Sequence, residues 1–345
     1  MDLSPLPRQP EGAPWPTVAW PTSPLPGRVD AARLHAILDR AFEDPAPEDI
    51  GETHALLIVQ GGRLVLERYA REFGPDSTCR SWSMAKSITQ ALAGLLVADG
   101  KIDIFAPADV PQWRGTGDPR AAITLDQLLR MSSGLAFVED YSPEHPSDVF
   151  EMLYGKGRED MAAFAAAFPL VHPPGSHFAY SSGTTNIVSA CLARALGEKG
   201  AAFDSFMRER LFGPIGMASA DPRFDDAGTF IGSSFCFATP RDFARFGLLY
   251  IRDGVWEGRR LLPVGWVDYA RTPTFQQAGC LDGPYGAAWW LETAGAGSFS
   301  ASGYQGQHIM LCPDRDLIIV RNGATPEAAQ PTLKAWLADL AALFR

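Results

Sequence analysis

The chain has 345 residues, 46% of them hydrophobic, which suffices for one large domain or two lobes around a shared core and excludes a disordered tail or a fibre. A formal net charge of −10, with no local run of lysine and arginine to offset it, would repel a phosphate backbone or an anionic bilayer, so no nucleic acid and no membrane partner is expected. The five cysteines, Cys79, Cys191, Cys236, Cys280 and Cys312, are odd in number and widely spaced without a C-x-x-C pair, the pattern of reduced thiols rather than of zinc or a redox couple. No run of about 18 apolar residues occurs. The start MDLSPLPRQP lacks the basic and apolar regions of a secretory signal, which points to the cytoplasm.

Residues 1–27 carry eight prolines and little periodicity, so they read as an arm lying extended on the body or as a disordered leader. Asp30 is a plausible cap for a helix with Leu34, Ile37, Leu38, Ala41 and Phe42 on one face. "ALLIVQGGRLVLERY" (55–69) is two strand-like runs around Gly61-Gly62, the chemistry of a two-residue hairpin turn.

From Ser83 to about residue 254 the pattern is mostly helical. "SITQALAGLLVADG" stops at Gly100, "ITLDQLLRMSSG" has a helical apolar stripe, and "TPRDFARFGLLYIRDG" has a threonine cap, a proline at the first turn and a glycine stop. Strands then return in "AAWWLE", "GQHIMLC" and "DLIIVRNG", before a C-terminal helix with Leu333, Leu337, Leu340 and Phe344 on one side. One catalytic-sized domain over 28–345 is implied, its α/β lobe built from 28–82 plus 280–345 and a helical lobe, 83–279, inserted between them.

"SWSMAKSIT" (81–89) places Ser83 three residues before Lys86, which is one face of a helix. A helix start favours negative charge on the serine oxygen, disfavours the ammonium and offers a free backbone N–H, while burial would leave a neutral amine able to take the serine proton. The bland alternative is a capping serine and a surface lysine. Of the five lysines, only Lys86 has a serine at that spacing. In "PPGSHFAYSSGTTNIV" (173–188) Tyr180 lies in a loop before a helix, where a phenol near the ammonium would have its pKa lowered and become a candidate base; the alternative is an ordinary half-buried tyrosine.

S-x-x-K, then Y-S-S, then Ala301-Ser302-Gly303 on a glycine-rich strand together resemble the penicillin-recognising serine hydrolases, over roughly residues 52–323. The resemblance is closest to the class C β-lactamase-like branch, with its family VIII-type esterases and 6-aminohexanoate-dimer hydrolases. It implies an α/β β-lactamase/transpeptidase-like fold, an antiparallel sheet flanked by helices with an inserted, mostly helical lobe. It implies Ser83, Lys86 and Tyr180 as catalytic residues, and an oxyanion hole from the backbone N–H groups of Ser83 and Tyr304. No metal or organic cofactor is implied.

Two positions depart from the β-lactamase pattern. Where those enzymes carry a lysine that holds the penicillin carboxylate, this chain has Ala301, and a carboxylate would be desolvated against a methyl group. The acylamide-binding asparagine is Ser182. Tyr141, in "FVEDYSPEHPSD" (137–148), matches a tyrosine that contacts the scissile amide nitrogen in nylon-oligomer hydrolases, and Glu139, Asp140, Glu144 or Asp148 could attract an amine; a solvated acidic loop is the alternative. Ser302 and Gly303 complete the expected substrate contacts, Ser302 either bonding near the tetrahedral intermediate or serving as a small strand residue.

The expectation is a cytoplasmic serine hydrolase acting on small esters, and on small amides, through an acyl-enzyme on Ser83, with a homodimer left open. A β-lactamase or D-amino-acid peptidase of the same fold, and a catalytically silent binding relative, are the alternatives.

Overall fold

The computed structural model describes residues 3–141, 145–275 and 284–344. A six-stranded antiparallel sheet runs in the order β2-β1-β6-β5-β4-β3, with β1 Glu52–Gln60, β2 Arg63–Tyr69, β3 Trp290–Leu291, β4 Phe299–Gly303, β5 Gln307–Cys312 and β6 Leu317–Ala324. Gly61 and Gly62 join β1 to β2 at φ +60° and +71°, a pair of left-handed positions that glycine adopts without penalty. Strand β1 also pairs with β6, Ile58 opposite Ile319, so the two ends of the chain lie side by side within the sheet.

Both faces of this sheet are covered, which is why its strands read as unbroken apolar runs rather than alternating ones. Ala55, Leu57 and Val59 face the core shared with the helical lobe, and Leu56 and Ile58 face a second core on the other side. That second core is closed by helix α1 (Ala31–Ala41), capped by Asp30 as expected, and by the C-terminal helix Gln330–Ala342. Leu333, Leu337, Leu340 and Phe344 are all fully buried there, each such side chain contributing roughly 2 kcal/mol.

Helix α2 (Ala85–Ala98) is buried on every side from Ala85 to Leu96, the polar Lys86, Ser87, Thr89 and Gln90 included, and Gly100 follows it at φ +66°. Helix α3 (Ser182–Leu196) starts at the cap of Ser181 and packs against α2, and α4 (Pro240–Ile251) has the expected Thr239 cap. Three expectations are trimmed. "ITLDQLLRMSSG" gives only Leu125–Leu129, since Met131 at φ +56° ends the helical path. "AAWWLE" gives only Trp290–Leu291 between Ala288 and Glu292, both at positive φ. Ser83 does not cap α2; it lies inside a short 3-10 turn, Trp82–Met84, that leads into it. The boundary expected at 279/280, and Cys280, lie outside the described residues.

The described part of the proline-rich arm lies on the body. Arg245 Nε donates to Pro16 O at 2.7 Å, Arg252 to Gln9 Oε1 at 2.9 Å and Pro7 O at 3.3 Å, and Arg271 to Ser4 O at 2.6 Å. Leu64 N donates to Pro21 O at 2.8 Å, so the arm also covers part of the free edge of β2. Arg252 grips Asp316 in a bidentate pair of 2.5 and 2.9 Å while being 1% exposed. Replacing Arg252 with alanine leaves Asp316 without its guanidinium partner and removes one of the arginine contacts that hold the arm. Urea unfolding of Arg252→Ala is expected to show a loss of about 3 kcal/mol, and a loss under about 0.5 kcal/mol would contradict this role for the arginine.

Candidate active site

The turn that carries Ser83 is over-determined. Ser81 Oγ accepts from Cys236 N at 3.0 Å and donates to Ser234 O at 3.2 Å, and Trp82 is held at φ +45°, a strained conformation for a bulky residue. The Trp82 ring lies under Arg80, 4.6 Å from the guanidinium carbon, and edge-on to Tyr304. Strand β4 presses on this turn. A Cβ on Gly303 would fall 2.5 Å from Ser81 O and 3.1 Å from Ser83 N, so only glycine lets the end of the strand, with Tyr304 next, reach Ser83.

Lys86 Nζ lies 2.9 Å from Ser83 Oγ, 3.0 Å from Ser182 Oγ and 3.0 Å from Ser233 O. These three acceptors match the three protons of an ammonium. Lys86 is 1% exposed, and burial pulls its pKa down to about 8, against a smaller upward pull from Glu139. The Ser233 carbonyl gets there because Gly232 is pressed against α2 and α3: a Cβ on it would meet Thr89 Oγ1 at 2.2 Å and Ser189 Oγ at 2.4 Å.

Ser182, expected on the substrate side, is instead buried. Its amide N–H donates to Glu139 Oε2, its hydroxyl donates to Glu139 Oε1 at 3.0 Å, and its oxygen accepts from Lys86. Tyr141 comes to the same carboxylate, its phenol donating to Glu139 Oε1 at 2.6 Å, and burial with the nearby Glu139 charge pushes its pKa far up. Glu139 therefore serves the interior of the site and does not advertise charge to an amine. Asp148 Oδ2 is used by Val138 N and Asp140 pairs with His145, so these acids shape the loop; Glu144 lies outside the described residues.

Tyr180 reaches Lys86 through its ring face, with Nζ 4.7 Å from the centroid. Its ring stacks on Trp290 at 5.4 Å and meets Tyr285 edge-on at 5.8 Å. The adjacent Trp289 points the other way into the core, so the tryptophan pair divides between core and cleft. On the opposite side Tyr141 stacks on Tyr304 at 4.8 Å. Ser83, Tyr180, Ser302, Gly303 and Tyr304 are half-buried, whereas Lys86 and Ser182 lie behind them.

Ser302 belongs to a buried polar chain: Ser300 Oγ is 2.9 Å and His308 Nδ1 3.1 Å from its Oγ. His308 sits opposite Ser302 in the β4–β5 register, and burial, aided by Arg321, lowers its pKa to about 3, so the ring is neutral. Ala301 is 1% exposed and presents only a methyl group. A cavity of about 490 Å³ behind α3, lined by Ile187, Ala190 and Arg194 among others, holds no serine, cysteine or histidine and none of the candidate residues. Burial holds the Cys79 and Cys312 thiols up at about 12, so neither is a competing nucleophile.

A beta-lactamase family profile matches residues 49–343. The chain belongs to the beta-lactamase family. Within the family it is 25% identical over 301 residues to 6-aminohexanoate-dimer hydrolase of Paenarthrobacter ureafaciens, covering 82% of this chain and 75% of that one. Its fold is similar to that of a Bacillus anthracis protein with a proposed assignment as 6-aminohexanoate-dimer hydrolase, at a TM-score of 0.73 and 22% identity over 94% of this chain and 87% of that one. A penicillin-binding protein homologue from Caulobacter crescentus gives a TM-score of 0.68 at 18% identity, covering 93% and 99%. At these identities the two structures bear on the fold alone. Membership makes the chain a beta-lactamase-family hydrolase.

Sequence reasoning missed three contributors. The Ser233 carbonyl carries no side-chain signal. Glu139 was read as facing solvent, and His308 becomes visible only once the register sets it beside Ser302. Adding a methyl group at residue 303 must push β4 away from the Ser83 turn. Gly303→Ala is expected to lower kcat/KM on an activated ester at least about tenfold in a chain that still folds, with a lowered melting temperature; unchanged kcat/KM would refute the close-approach argument.

Proposed function

We propose that this protein is a serine hydrolase that cleaves small esters and small amides through an acyl-enzyme on Ser83. The observation that carries this reading is Lys86 Nζ at 2.9 Å from Ser83 Oγ, in a pocket that lowers the amine's pKa to about 8. In acylation Ser83 Oγ bonds to the substrate carbonyl carbon while its proton passes to Lys86. The carbonyl oxygen becomes the oxyanion, received by the backbone N–H groups of Ser83 and Tyr304. Collapse expels the leaving group, which takes the proton through Lys86 and Tyr180; water then repeats the sequence and releases the acid.

Substrate preference follows from the walls. Ala301 offers no cation for a penicillin carboxylate, which disfavours β-lactam turnover, and Trp82, Tyr141, Tyr180, Trp290 and Tyr304 suit a neutral, partly apolar substrate. The amide reading has its own support. With the Tyr141 proton committed to Glu139, the phenol oxygen is left as an acceptor for the N–H of a scissile amide. The relative named 6-aminohexanoate-dimer hydrolase carries an amide-cleaving name, in keeping with that reading.

The test is a burst of p-nitrophenol from p-nitrophenyl acetate, combined with intact mass after a fluorophosphonate. One adduct is expected, mapping to Ser83 and absent in Ser83→Ala, with nitrocefin turned over far more slowly than the ester. No adduct on Ser83 would defeat the acyl-enzyme reading, and nitrocefin turnover matching the ester would make the protein a β-lactamase.

A further inference from the structure

The three neighbours of Lys86 Nζ differ in how they can hydrogen-bond. Ser233 offers a backbone carbonyl, which only accepts. Ser182 offers a hydroxyl whose own proton is already placed on Glu139, so towards Lys86 its oxygen also accepts. Ser83 alone can either donate or accept. An ammonium at this position gives one proton to each. A neutral amine keeps two N–H bonds and one lone pair; its two obligate acceptors take the N–H bonds, and the lone pair is left facing Ser83.

We propose that Glu139 is a positioning residue: by holding the Ser182 proton it leaves Ser83 as the donor that faces the Lys86 lone pair, and so aims the base at its nucleophile. The inference rests on the acyl-enzyme reading above. Glu139 is itself well placed for this role. Its Oε2 accepts the Ser182 amide N–H, and its Oε1 accepts both the Ser182 hydroxyl and the Tyr141 phenol. The loop that carries it is pinned by Val138 N on Asp148 Oδ2 at 2.8 Å and by Asp140 N on Ser147 Oγ at 3.1 Å.

A glutamine at residue 139 cannot reproduce the pattern. If its amide NH2 faces Ser182 N–H, two donors collide. If it faces Ser182 Oγ, the serine accepts from the glutamine and its proton is released to the Lys86 lone pair, which then points away from Ser83. The titratable groups around Nζ are the Glu139 carboxylate, the Tyr180 ring that Nζ overlies and the Tyr141 phenol on Glu139. Glu139 raises the Lys86 pKa, so removing its charge shifts the acid limb of acylation to lower pH and increases the neutral amine at pH 7. Simple charge tuning therefore predicts an unchanged plateau reached at lower pH. Loss of aim predicts a lower plateau.

The experiment is stopped-flow acylation of the full chain by p-nitrophenyl acetate across the acid limb, for wild type, Glu139→Gln, Ser182→Ala and the double variant. Expected are a plateau acylation rate at least about tenfold lower in each single variant, KM changed less than about twofold, an acid limb at lower pH in Glu139→Gln, and a double variant within about threefold of the poorer single one. A plateau acylation rate for Glu139→Gln equal to or above wild type would overturn the proposal, as would losses that multiply in the double variant. Should Glu139→Gln fail to fold, Ser182→Ala decides alone, because deleting that acceptor also releases the lone pair; wild-type acylation rates in it would refute the role. A wild type with neither burst nor Ser83 adduct would sink the acyl-enzyme reading itself, and this proposal with it.

Discussion

Everything at the site follows from placing an amine inside a helix that is buried on all sides. Lys86 lies in α2 among residues that touch no water, where an unpaired ammonium would be strongly destabilising. The protein answers with three acceptors and a carboxylate one hydroxyl away, yet the pKa still falls from 10.5 to about 8, a cost to the ammonium of roughly 3 kcal/mol relative to an exposed lysine. That incomplete compensation is the functional point. Full compensation would give a permanently charged lysine, and none would give an empty, unstable pocket.

The sheet supplies the other half of the site, and it does so through backbone contact. β4 carries Ser302 and Gly303 to the Ser83 turn because Gly303 has no side chain, and Gly232 lets the segment before Cys236 approach α2 in the same way. The first of these approaches hangs on a sheet in which β1 and β6, from opposite ends of the chain, pair side by side. The arm gripped by Arg245, Arg252 and Arg271 ties the beginning of the chain to the same frame.

Much of this was legible in the sequence, where local chemistry decides the outcome. The Gly61-Gly62 hairpin, the Asp30 and Thr239 caps and the C-terminal leucine face depend on near neighbours, and all stand as read. The pairing of Ser83 with Lys86 was readable for the same reason, since three residues on a helical turn fix the contact. Ser182 and Glu139 were not, because their directions depend on how a loop at 137–141 folds against the start of α3. His308 needed the β4–β5 register, and the Ser233 carbonyl is identical in every residue type. The proline arm left two outcomes open that composition could not separate; buried arginines at residues 245, 252 and 271, far along the chain, decided between them.

The central claim is the depressed pKa of Lys86, since a permanently charged lysine could not itself take the Ser83 proton. The chain has five lysines, few enough for side-chain NMR with labelled lysine to resolve each and for a Lys86→Met variant to assign the one that matters. Followed against pH, the Lys86 signal is predicted to titrate near 8. Titration near 10.5 would contradict the account.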